Sequence, residues 1–205
     1  MERENLIELA DRIAALPISG ARALIALAGP PASGKSRAAR ELVDELHSRG
    51  LAAVAVPMDG FHLDNEVLDA RGLRARKGSP ETFDAAGFIH AMARLKQEAE
   101  VILPSFDREI DKSVAGSVVI GPEDRIAVVE GNYVCFSEAP WDQLAGLWDF
   151  SCYLDVPEDV LLERLVQRWI RFDHSPEDAE ARARGNDLAN AQRIATAVSQ
   201  TDLRF

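Results

Sequence analysis

A three-layer α/β domain, with a mostly parallel central sheet and helices on both faces, is the fold class that the sequence predicts, and three observations predict it. Ala21–Ala28, Leu51–Met58, Ile126–Val129 and Phe150–Leu154 are short apolar runs without polar alternation, the mark of strands buried on both faces. Stretches with apolar residues at helical spacing lie between them, as βαβ units require. A chain of 205 residues, 47% hydrophobic and 28% charged, is the size of one domain with a sizeable core, so a single domain is expected over 1–205.

Leu6, Leu9, Ala10 and Ile13 share a stripe that Glu4, Glu8 and Asp11 avoid, so an amphipathic helix leads the chain and Pro17 closes it. The first strand, Ala21–Ala28, ends in a Gly/Pro/Ser cluster. A helix follows through Ala38, Ala39, Leu42, Val43 and Leu46 to Gly50, and Leu51–Met58 completes the βαβ unit. Residues 59–84 are polar, with Gly60, Gly72, Gly78 and Pro80, and form a loop too long to be passive in a compact domain. A helix is expected over 85–98. Strands at 101–106 and 116–120 flank a charged middle, 107–112, which reads as a hairpin or flap. After the strands at 126–129 and 150–154, Pro157 opens a helix that runs to about Phe172. Asp173–Asp187 is dense in charge and reads as a mobile segment, and a last helix covers Leu188–Val198.

The charge balance excludes some partners. With 23 Lys and Arg against 34 Asp and Glu, the net charge of −11 repels nucleic acid and acidic membrane surfaces. No run reaches the roughly 18 apolar residues of a membrane span. The acidic N-terminal segment has no basic, then apolar, leader pattern. Cys135 and Cys152 sit among apolar neighbours without metal-ligand spacing, as reduced core thiols do. A cytoplasmic protein is therefore expected, and a homodimer is compatible with everything above.

Between the first strand and the helix after it stands Gly29-Pro30-Pro31-Ala32-Ser33-Gly34-Lys35-Ser36, which satisfies G-x-x-x-x-G-K-[ST] in the strand–loop–helix context that this pattern requires. Its glycines let successive backbone N–H groups turn toward phosphates, and the helix N-terminus adds positive potential there. Gly29, Ala32, Ser33, Gly34, Lys35, Ser36 and Arg37 are thus the expected nucleotide-binding residues, with Lys35 on the β and γ phosphates and Ser36 on Mg²⁺. The loop identifies a user of nucleoside triphosphates. No N-K-x-D motif for guanine is present, which disfavours a GTP switch.

Asp59 follows the second strand, at the carboxyl edge where open α/β sheets bind their ligands. A carboxylate there can take a proton from an attacking hydroxyl or help to hold Mg²⁺. Glu130, at the end of the strand 126–129, is placed to orient the metal. His62 reads equally as a turn residue and as a substrate contact. Arg164, Arg168 and Arg171 share one helix face leading into the charged segment, the arrangement by which a lid presents guanidiniums to a transferring phosphoryl group. In the flap, Asp107 and Arg108 offer donors and acceptors to a polar substrate, with Asp111 and Lys112 beside them; a solvated hairpin tip accounts for the same residues.

These segments, taken with Arg76-Lys77-Gly78-Ser79-Pro80-Glu81-Thr82-Phe83-Asp84, Pro104-Ser105-Phe106-Asp107-Arg108 and Val129-Glu130-Gly131-Asn132-Tyr133, occur in the order seen in the pantothenate kinase, uridine kinase and phosphoribulokinase group. More narrowly, the chain resembles the bacterial nucleoside/nucleotide kinase-like proteins labelled fructose transport system kinases. The resemblance spans about 21–197. It implies a P-loop NTPase fold with a helical lid at about 164–187, an acceptor loop at about 59–84 and a flap at about 101–120. It also implies ATP, Mg²⁺ and a small-molecule alcohol acceptor, with Asp59 as catalytic carboxylate, Glu130 as strand-end acid, Arg168 and Arg171 in the lid, and Asn186, Asp187 and Asn190 closing the nucleotide side. The chain has Phe61-His62 where uridine kinases carry an aromatic pair, and the loop 59–84 with the charged middle of the flap, 107–112, holds only Phe61 and Phe83 for stacking on a base. The expected activity is therefore phosphoryl transfer from ATP to a sugar, polyol or hydroxy acid. The alternatives are a nucleoside or pantothenate-type kinase and an ATP-dependent regulator that phosphorylates no metabolite.

Overall fold

The computed structural model describes residues 1–205. Five parallel strands form the central sheet: β1 (Ala23–Ala28), β2 (Ala53–Pro57), β5 (Ile126–Gly131), β6 (Phe150–Tyr153) and the two-residue β7 (Leu203–Arg204). Their spatial order is β2-β5-β1-β6-β7. Side chains alternate across a strand, and β1 divides accordingly. Leu24, Ala26 and Ala28 face one core with α4 (Ala85–Gln97), through Phe88, Ala91, Met92 and Leu95. Ala23, Ile25 and Leu27 face the other, with α1 (Arg3–Ala14) and α2 (Lys35–Ser48). Every residue of β1 and β5 is buried, which is why neither strand shows polar alternation. The fold class is the one expected.

Arg22 enters the sheet at its amino edge and is wholly buried. Its guanidinium donates to five carbonyls, those of Leu95, Glu98, Ala99, Gly121 and Asp124, at 2.5–3.0 Å. Leu95 lies in the last turn of α4, Glu98 caps it and Ala99 follows, so one side chain serves carbonyls at the end of a helix and ties it to the loop before β5.

The expected flap is a separate antiparallel ribbon, β3 (Val101–Asp107) and β4 (Lys112–Ile120). β4 starts four residues earlier than expected, at Lys112 in place of Gly116. A bulge opposite Leu103–Ser105 accommodates the extra residues: Gly116 takes φ of 72° there, and Ser117 Oγ accepts from the Ser105 amide at 2.8 Å. The ribbon presses on the turn Met58–Phe61 so closely that a side chain at Gly60 would collide with the Pro104 carbonyl.

The polar segment 59–84 contains a short helix, α3 (Asn65–Ala70), and three 3₁₀ turns at Met58–Phe61, Arg74–Arg76 and Pro80–Thr82. α5 (Glu158–Arg171) begins one residue after Pro157. The charged segment 173–187 contains a helix, α6 (Pro176–Arg182), followed by a π turn at Ala183–Asp187. α7 (Leu188–Thr196) ends before Val198, which forms an isolated bridge to Phe136. Both cysteines are free and buried, and burial pushes each thiol up to about 12. No helix is long and apolar enough to cross a membrane.

Candidate active site

β1, β2 and β5 end together, because Ala28 pairs with Gly131 and Pro57 with Glu130. A cavity of about 920 Å³ opens at this carboxyl edge. The loop after β1 forms its floor. Gly34, at φ of 91°, caps α2 in the left-handed region, and Ala32 adopts φ of 63° in the same loop. The Ser33 amide is spent on the Pro30 carbonyl at 3.1 Å, while the first amides of α2, at Lys35 and Ser36, have no intrahelical acceptor and form an anion seat. Lys35 Nζ donates only to the Pro30 carbonyl, at 3.2 Å. Lys35, Ser36, Arg37, Ala32 and Gly34 line the cavity; Gly29 and Ser33 lie beneath it, and the buried Ser33 Oγ has no partner.

Glu130 and Asp59 line the same cavity as Lys35 and both act on its charge. Burial pushes the Lys35 ammonium down, against the pull of Glu130 and Asp59, and pushes the Glu130 carboxyl up, against the pull of Lys35. Each group thus eases the charging of the other against burial. Asp59 Oδ2 accepts from Arg108 at 2.5 Å, so the hairpin delivers a guanidinium onto the carboxylate at the end of β2. Nowhere do three carboxylate, histidine or cysteine side chains converge as a dedicated metal cage. One strand-end carboxylate beside a serine hydroxyl is the donor set suited to Mg²⁺, which keeps several waters and takes phosphate oxygens.

Farther along the cavity, His62 Nδ1 lies 2.9 Å from the Asp59 carbonyl; a carbonyl only accepts, so Nδ1 carries the proton. The ring is packed between Phe83 and Phe106, at centroid distances of 4.0 and 4.7 Å, and burial lowers its pKa. His62 thus presents a neutral ring. Lys77 crosses the Phe106 face and reaches Asn65 Oδ1 at 2.7 Å and Asp111 Oδ1 at 2.8 Å. Asp107 does not line the cavity: its carboxylate accepts from the amides of Glu109 and Ile110 and shapes the hairpin turn. Lys112 likewise faces away, toward Asp64 at 3.6 Å. Phe61 turns inward, edge-on to Phe88 in the core.

α5 crosses above the phosphate loop. Arg164 donates to the carbonyls of Ala32 and Ser33 at 3.3 and 3.4 Å and fastens the helix to the loop, whereas Arg168 and Arg171 line the cavity. Burial and the neighbouring Arg108 lower the Arg168 pKa, a sign of cations crowded around a space that suits an anion. Trp169 Nε1 donates to Asp187 at 2.6 Å, and Arg182 covers the indole face at 5.2 Å. Asn186 and Asn190 complete this wall. The sequence reading did not single out Trp169, Arg182 or Arg74, although Trp169 lies between two arginines that it did choose.

A sequence profile of the Phosphoribulokinase / Uridine kinase family matches residues 24–175. Among curated proteins, "Putative uridine kinase C227.14" of Schizosaccharomyces pombe is 34% identical over 193 residues, covering 89% of this chain and 82% of its own length. Pantothenate kinase of Myxococcus xanthus is 32% identical over 164 residues, 74% of this chain and 51% of that enzyme. Among solved structures, a "putative fructose transport system kinase" from Silicibacter sp. TM1040 is 46% identical, with a TM-score of 0.95 over 98% of both chains. The profile match covers most of the chain, including the phosphate loop, Asp59 and Glu130. The chain belongs to the Phosphoribulokinase / Uridine kinase family of P-loop kinases.

Proposed function

We propose that this kinase transfers the γ-phosphoryl group of ATP, with Mg²⁺, to a hydroxyl of a sugar, polyol or hydroxy acid. The observation that carries the reading is the placement of Asp59: a carboxylate in the same cavity as the phosphate loop, on the side of the acceptor loop and the hairpin. The acceptor oxygen attacks the γ phosphorus, ADP leaves, and the hydroxyl proton passes to Asp59. Lys35 exchanges its one carbonyl partner for phosphate oxygens. Ser36 and Glu130 would hold Mg²⁺, which would supply charge neutralisation at the phosphates. Arg168 and Arg171 stabilise the transferring group, and Arg37 flanks the nucleotide. His62 and Arg108 contact the acceptor, Arg108 after releasing Asp59. Asp107 serves through the hairpin turn that holds Arg108 in place.

A nucleoside acceptor is the second reading, favoured by aromatic walls richer than the sequence suggested, since Phe106, Trp169 and Phe172 join Phe83 there. Against it, the His62, Phe83 and Phe106 rings pack on one another and Arg182 covers Trp169, which leaves Phe172 as the large exposed ring. The test incubates the enzyme and Mg·ATP with sugars, polyols, hydroxy acids, pantothenate and nucleosides, and weighs the intact products. A phosphorylated sugar, polyol or hydroxy acid is expected. Uridine or cytidine as best acceptor reverses the choice, and ATP consumed without any phosphorylated product removes the kinase reading for an ATP-driven regulator.

A further inference from the structure

Three segments surround the acceptor end of the cavity, and they meet at one residue. From the acceptor loop, the Lys77 ammonium donates to Asn65 Oδ1 at 2.7 Å. It also pairs with Asp111 Oδ1 at 2.8 Å and donates to the Asp111 carbonyl at 3.2 Å, which joins the loop to the hairpin turn. Asn65 Nδ2 donates to the other Asp111 oxygen at 2.7 Å and closes the triangle. On the far side, Asn186 Nδ2 in the π turn donates to the Lys77 carbonyl at 3.1 Å. The Lys77 side chain is 15% exposed, so this amine has little water to lean on. Asp111 sits at φ of 54°, a conformation that asparagine and aspartate tolerate better than most residues; its side-chain bonds help to hold that turn.

We propose, on the kinase reading above, that Lys77 is a positioning residue coupling the nucleotide end of the cavity to Asp59. A nucleotide that engages Arg168 and Arg171 moves or orders α5, α6 and the π turn, and Asn186 passes the change to the Lys77 backbone. The Lys77 ammonium passes it on to Asp111, and the same hairpin turn carries Arg108, the partner of Asp59. Acceptor-site order then follows nucleotide binding. Each joint is a short polar bond; the loop and the ribbon also meet at the turn Met58–Phe61 and at His62, but the run from the π turn to the hairpin turn goes through Lys77.

Hydrogen exchange with and without Mg·AMP-PNP tests this without any knowledge of the acceptor. In the wild type, peptides spanning 107–114 and 176–190 should both exchange more slowly with the analogue bound, by on the order of tenfold. In Lys77→Met the slowing at 176–190 should remain and that at 107–114 should disappear. Asn186→Ala, which leaves the Lys77 side chain alone, should give the same loss at 107–114. Asp111→Asn keeps a carbonyl oxygen for the ammonium and should retain part of the protection. Equal slowing of 107–114 in the wild type, Lys77→Met and Asn186→Ala overturns the coupling, as does a wild type that binds the analogue and slows only 176–190. Failure of the wild type to bind the analogue at all overturns the kinase reading instead.

Discussion

Asp59 accepts from a single guanidinium, that of Arg108, and a carboxylate so engaged is open to a substrate proton only when that partner turns away. Asp59→Asn should leave Mg·ATP affinity within about threefold while kcat falls on the order of 10² to 10⁴, the range for a lost positioned base. Titration calorimetry with AMP-PNP beside steady-state kinetics measures both, and lost nucleotide binding would make Asp59 a metal group. Arg22 lies at the opposite edge and poses the opposite case. Five carbonyls depend on it, so Arg22→Leu should cost about 3 kcal/mol or more, lowering Tm by at least ~6 °C. A smaller shift in a thermal melt would show that water replaces the guanidinium. Nothing in the sequence around Arg22 marked it, because its partners are main-chain atoms from segments about 75–100 residues away. The placement of the phosphate loop, Asp59 and Glu130 around one cavity was legible for the converse reason: it follows from local spacing at strand ends.

Elements divide in the same way. The buried strands were readable from unbroken apolar runs, but α6 was not, since only Ala179 in it is buried and no hydrophobic period exists to detect. Its signal was a cap. Ser175 accepts from the Asp178 amide at 3.1 Å, Pro176 follows at the first position, and Glu177 and Asp178 occupy the positive first turn. Ser175→Ala should therefore destabilise α6 by about 1 kcal/mol. Hydrogen exchange should quicken at 176–187 with little change in global Tm; an unaltered segment would mean that packing beneath Ala179 and Ala183 holds the helix alone. The helix beside it carries Arg168 and Arg171, which line the cavity. Arg168→Ala and Arg171→Ala should each lower kcat more than they weaken ATP binding, as for contacts that strengthen at the transition state. Equal kinetics in both variants would return those side chains to a solvated helix face. The two-residue β7 escaped notice because so short a run carries no pattern.

At the level of the whole molecule, a chain of net charge −11 spends several cations on one cavity and on cross-links between distant elements. Arg193 of α7 bonds Glu138 and Glu81, both at 2.6 Å, and bridges the segments after β5 and before α4. Its hydrogen bond holds Glu138 below the ordinary glutamate range; burial alone would raise Glu81, but the Arg193 bond brings it below that range too. The unfolded chain then binds protons more readily than the folded one, so these bonds stabilise fully above about pH 4.3 and lose effect as pH falls through the lowered values. Arg193→Gln should flatten the acid limb of the Tm-against-pH curve and lower its plateau slightly. A curve parallel to that of the wild type would show that other carboxylates set the acid limb.

The two edges of the sheet use cations under different terms of tenure. Arg22 has five carbonyl partners, whereas Lys35 has one, at 3.2 Å, which on the proposed function a phosphate chain would replace. Five partners at one edge and one at the other mean, on the proposed function, that a sequence change could alter what is phosphorylated without touching what keeps the chain folded. Relatives with different acceptors would then diverge along residues 59–84 and the hairpin while keeping a buried cation at the foot of β1. An exchange of the 59–84 segment between two such relatives would transfer acceptor preference and leave the melting temperature with the host.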